Sequence, residues 1–81
     1  MMIPTIHMNG TSKEALVEAL SEAYRAVNEA GRKLAEAYPN GRDYYPQGAG
    51  AINTAMKEHE SRMERLRSVA KELEEIVVAI D

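Results

Sequence analysis

Nine positions from Ile52 to Ile80 do most to decide what this chain can fold into. Ile52, Met56, His59, Met63, Leu66, Ala70, Leu73, Val77 and Ile80 recur at alternating steps of four and three. That spacing lays one apolar seam along a helix that packs against other helices. At about 1.5 Å per residue, a helix over residues 49–80 is roughly 48 Å long. Val69 and Ile76 widen the seam, so this helix needs more than one neighbour.

A shorter helix is predicted over residues 12–37. Leu16, Leu20, Ala23, Val27, Ala30, Leu34 and Ala37 are expected to share one face. Glu18, Glu22, Arg25, Glu29, Arg32, Lys33 and Glu36 occupy the other, with Glu29–Lys33 and Arg32–Glu36 spaced for weak ion pairs. Thr11 or Ser12 caps the start, and Thr11 followed by Glu14 has capping-box spacing. The alanines let a neighbour come close but supply little area. Gly31 costs about 1 kcal/mol of helix propensity relative to alanine.

Residues 38–48 cannot continue either helix. Pro39 stops the first, and Asn40-Gly41 favours a turn. Residues 1–10, broken by Pro4 and Gly10, read as an extended arm or short strand anchored by Ile3 and Ile6. The expected fold is all-α: one domain over residues 1–81, an antiparallel two-helix hairpin with a short extended N-terminal arm. Its elements are the arm 1–10, helix 12–37, loop 38–48 and helix 49–80.

A chain of 81 residues buries too little surface to be comfortable alone. It has no cysteine, tryptophan or phenylalanine, so neither disulfides nor large aromatics reinforce the core. Oligomerisation is the remaining route. A homodimer closing a four-helix bundle is the simplest form, and higher homo-oligomers satisfy the same need.

The net charge of −3 argues against a general nucleic-acid binder. No apolar run approaches the length of a membrane span, and residues 1–10 lack the pattern of a signal peptide. The expected location is the cytosol, with no membrane partner.

Three groups of residues carry the candidate chemistry. In the loop, Arg42 offers a fork for a carboxylate or phosphate. Tyr44 and Tyr45, with Tyr38, offer stacking faces, while Asp43 and Gln47 can read polar edges. Such parts suit a nucleotide-like small molecule; the same residues also suit a connector that covers the bundle end. His59 interrupts the seam, where a polar residue can set register or line a pocket near the loop. Its surroundings, His59-Glu60-Ser61-Arg62-Met63, have methionine where a zincin helix needs its second histidine. His7 and Asn9 lie in the arm. No metal site and no cofactor are expected.

The third group is the segment 57–71, with five bases against three acids, followed by ten residues with four acids and no base. A solvated face with Glu58–Arg62 and Lys71–Glu75 pairs accounts for it, as does a phosphate-binding groove. In an antiparallel oligomer, the basic middle of one chain meets the acidic end of another. No nucleophile stands beside a recognisable base, so an enzyme is not expected.

The segments IPTIHMNGTS (residues 3–12) and PNGRDYYPQG (residues 39–48) resemble those of small proteins from tailed phages and prophages. The resemblance runs over nearly the whole chain. It implies a phage origin and the host-cell cytosol, and it transfers no catalytic residue. By analogy of size and style, the expected function is a non-enzymatic binding protein that sequesters a nucleotide-type immune signal, such as a cyclic nucleotide, at intersubunit sites. The ligand-binding set is Arg42, Asp43, Tyr44, Tyr45, Gln47, His7, Asn9 and His59. The alternative is a helical interaction module that inhibits a host defence protein or assists phage assembly.

Overall fold

The computed structural model describes residues 1–80 and contains two α-helices, α1 (Lys13–Glu36) and α2 (Ala51–Ile80), joined by a 3-10 segment over Gly41–Gln47. The helices run antiparallel. Leu34 meets His59 at the loop end, Val27 and Gly31 lie by Leu66 and Met63 midway, and Tyr24 lies by Val77 farther along.

Both helices begin and end close to the predicted points. Ser12 is the N-cap of α1, its Oγ accepting from the Ala15 N–H at 3.2 Å. The cap is therefore one residue beyond the Thr11–Glu14 capping box, which does not form. At the other end the Ala37 N–H donates to the Leu34 and Lys33 carbonyls, and Pro39 prevents a further turn. The turn at Asn40-Gly41 is made by a side chain. Asn40 Oδ1 accepts the Arg42 N–H at 3.0 Å and starts the 3-10 segment, while Gly41 keeps a negative φ. Gly48, at φ 104°, breaks that segment three residues before the start of α2 at Ala51.

The seam of α2 packs as its spacing predicts: every one of its nine positions is buried or half-buried. The seam of α1 differs from expectation. Val17, Leu20, Tyr24, Val27, Gly31 and Leu34 turn toward α2, whereas Ala23, Ala30 and Ala37 are exposed. Neighbouring residues sit 100° apart on a helix. The rotation that covers Tyr24 and Val17, which carry far more apolar surface than alanine, leaves the alanines outside. Ile3 and Ile6 are also exposed, and residues 1–10 form no strand.

Little of this hairpin is enclosed. Only Ala55, Ala70 and His59 are buried among the described residues, at 8, 7 and 4% exposure, and Val69 and Val78 stand 43 and 69% exposed. The radius of gyration is 18.2 Å, against about 12 Å for a globular chain of this length. The accessible surface is 6078 Å², against about 4,850 Å² for a compact monomer of this mass.

The ion pairs lie on the outer surface and contribute little each. Arg32 forks onto Glu29 and reaches Glu36 at 3.2 Å, Lys33 lies 3.7 Å from Glu36, and Arg67 lies 2.8 Å from Glu64. Arg32 thus replaces Lys33 as the partner of Glu29. The predicted Glu58–Arg62 and Lys71–Glu75 pairs do not form among the described residues.

Candidate functional site

The loop end of the hairpin is held by two side chains that reach across it. His59 Nε2 lies 2.7 Å from the Leu34 carbonyl. A carbonyl can only accept, so Nε2 carries the hydrogen and donates it. Leu34 is in the last turn of α1, and its carbonyl, which also accepts the Ala37 N–H at 3.1 Å, has a second lone pair for the imidazole. His59 therefore ties the end of α1 to the middle of the α2 seam, which explains a polar residue at an apolar position. Tyr38, just past α1, presents its ring edge to the imidazole, with centroids 5.2 Å apart and planes at 75°. Its hydroxyl donates to Glu60 Oε1 at 2.8 Å. That bond to a carboxylate holds the phenol above its ordinary pKa, with desolvation and the Glu60 charge acting in the same direction.

Beside this clamp a cleft of about 250 Å³ opens between the 3-10 segment and α2. Tyr38, Asp43 and Tyr44 form one wall, and Glu58, His59 and Arg62 form the other. The structure thus gathers three of the predicted residues, Asp43, Tyr44 and His59. It adds Arg62, whose spacing from Glu58 predicts a solvated pair that does not form among the described residues. Arg62 has no ion-pair partner among the described residues. The signal for it was positional: it follows His59 by three residues, so the two share a side of α2.

The other predicted residues lie elsewhere. Arg42 turns back on Asn40, its Nε donating to Oδ1 at 3.4 Å. Tyr45 is 76% exposed and lines a separate hollow with Gly48 and Ile52, beyond Tyr44. Gln47 is exposed. His7 folds over its own turn, where Gly10 donates to the His7 carbonyl at 3.1 Å and the imidazole covers the glycine. His7 and Asn9 precede α1, so the length of that helix, about 36 Å, separates them from the loop within one chain.

Among the described residues, no group of His, Asp and Glu could hold a metal ion, and no helix is long and apolar enough to cross a membrane. The chain matches no family among known protein families, no curated protein and no solved structure.

Proposed function

We propose that this chain is a non-enzymatic binding protein that works as a homo-oligomer and takes a nucleotide-type ligand at the loop-end cleft. The reading is carried by the convergence of Tyr38, Tyr44, His59 and Arg62 on one open cleft. Arg62 supplies a fork for a phosphate, Tyr44 a stacking face, and Asp43 acceptors for the donor edge of a base. Two carboxylates, Asp43 and Glu58, line the cleft beside a single guanidinium. That balance disfavours a triphosphate and suits a phosphodiester, which carries one charge per phosphorus, as in a cyclic nucleotide. The resemblance to phage proteins suggests a setting, sequestration of an immune signal in the cytosol of an infected cell.

The test is a thermal-shift and calorimetric titration with cyclic mononucleotides, cyclic dinucleotides and nucleoside triphosphates. A bound ligand at a hundred times its dissociation constant adds about 2.7 kcal/mol of stability. Stabilisation should be greatest with cyclic nucleotides, be lost in Tyr44→Ala, and persist in Arg42→Ala and Tyr45→Ala. No response to any nucleotide at millimolar concentration would sink this reading. The scarcity of buried side chains favours the second reading, a helical module that docks a host protein or a phage assembly partner.

A further inference from the structure

One broad face of the hairpin has the properties of an unfinished interface. On α1, Leu16, Ala19, Ala23, Ala26 and Ala30 form a second repeat of threes and fours beside the inner seam, and all four alanines are exposed. On α2, Ala55, Arg62, Val69 and Ile76 recur every seven residues on one flank of its seam, with Arg65 and Glu72 between them. The two stripes lie on the same side. Ala37 of α1 lines the loop-end cleft together with Ala55, Glu58 and Arg62, whereas Asn28 shares a cavity with Arg67, and Ser21 another with Glu74 and Val78. The cleft therefore opens on the alanine face, and the other two cavities open on the reverse.

Charge is divided along the molecule. Residues 25–68, the loop half, hold eight bases and six acids, and the remainder holds two bases and seven acids. Within one chain, Arg62, Lys71, Glu72 and Glu75 make no ion pair among the described residues. Parallel stacking of two copies would set like ends together. Antiparallel stacking sets the basic half of each against the acidic half of the other.

We infer that a second copy of this chain covers the alanine face, antiparallel to the first, about a two-fold axis that crosses α1 between Ala23 and Ala26 and α2 near Val69. The inference rests on the homo-oligomeric part of the function proposed above. Two independent registers agree on the position of the axis. On α1 the stripe is its own mirror, with Ala23 facing Ala26 of the partner subunit and Ala19 facing Ala30 of the partner subunit. On α2, Arg65 comes level with Glu72 of the partner subunit. The Leu34–His59 contact places the middle of the alanine stripe at the height of residues 68–69 of α2, so both crossings lie on one line. Glu22 and Glu29 would also face each other at the outer edge of α1, but Arg32 already neutralises Glu29.

The area suffices. From Ala55 to Ala79 the face is about 36 Å long and the hairpin is 20 Å wide. That outline, on the order of 700 Å² before surface relief is counted, is close to the roughly 800 Å² per partner of a standard interface. The same arrangement brings the N-terminal arm of each chain, with His7 and Asn9, toward the loop-end cleft of the other. A cleft too small for a drug-sized ligand is then completed by a second chain.

The test uses the full chain and light scattering after gel filtration. The wild type should run at twice its 9.0 kDa mass. The variants Arg65→Glu and Glu72→Arg, each of which sets two like-charged pairs across the axis, should each raise the dissociation constant roughly 100-fold. Mixed one to one, the two variants should reassociate, because every reversed charge then meets its opposite. Recovery of mass and helicity on mixing supports the inference even if either variant alone is unfolded. The chain has no cysteine, so Ser68→Cys, near the axis, should be joined into a covalent dimer by a short bismaleimide, while Lys71→Cys on the far side should not. A monomeric wild type, indifference to charge reversal, no recovery on mixing, or a dimer that Ser68→Cys cannot link would overturn it. A dimer that binds no nucleotide refutes the ligand alone, and a nucleotide-binding monomer refutes the dimer alone.

Discussion

His59 donates from Nε2 to the Leu34 carbonyl, and through that contact the one polar residue in the α2 seam closes the end of α1. The same carbonyl accepts from the Ala37 N–H, so it is not orphaned when the imidazole is removed. His59→Ala should therefore cost about 2 kcal/mol, part from the lost bond and part from the gap left beside Tyr38. His59→Leu should recover the packing share only. Urea unfolding of the two variants separates the contributions; a leucine variant at least as stable as the wild type would show that the donor adds nothing.

Tyr38 should ionise above the ordinary tyrosine range. Its hydroxyl donates to Glu60, so its pKa is raised above the ordinary value near 10. The stability from this bond is fully present below the unfolded tyrosine pKa and is lost as pH climbs through the higher folded value. The hydroxyl lies in solvent, so the change is local. A tyrosinate absorbance titration should show a late phenol that is lost in Glu60→Ala. A wild type with no late phenol would contradict the hydrogen bond.

The hairpin was legible because a 4-3 repeat that includes Ile52, Leu66, Leu73 and Ile80 allows one helix and one buried face. The face of α1 was not, because apolar residues line two adjacent stripes and spacing alone does not choose between them. Packing chose the stripe with Tyr24 and Val17. At the site, Asp43, Tyr44 and His59 could be named from their types, but which of the loop's polar groups face α2 depends on the 3-10 turn started by Asn40. That turn commits Arg42 to Asn40 and leaves the cleft to Arg62. No local pattern encodes this choice.

The N-terminus of α1 offers a clean choice between two hydroxyls. Ser12 accepts from the Ala15 N–H, whereas capping-box spacing pointed to Thr11 and Glu14. Ser12→Ala should lower stability by about 1 kcal/mol, within the usual range for loss of a cap. Thr11→Ala, an exposed change away from the cap, should stay within about 0.5 kcal/mol of the wild type. Thermal unfolding by circular dichroism decides, and the reverse order would restore the capping box.

Gly31 is a position in the α1 seam where a single added methyl should stabilise the fold. It sits in the α1 seam with an ordinary helical backbone, and a Cβ built there meets nothing within 4 Å. The space belongs to a cavity of about 180 Å³ lined by Val27, Asn28, Met63, Leu66 and Arg67. Gly31→Ala removes the propensity cost of glycine in a helix, about 1 kcal/mol, and begins to fill that cavity. For a domain of this size the midpoint should rise by about 4–8 °C. The cavity opens away from the alanine face, so the mass in solution should stay the same. A lower midpoint with unchanged mass would mean that the seam closes more tightly at Gly31 than the 4 Å clearance shows, and that the glycine is there to let the helices approach.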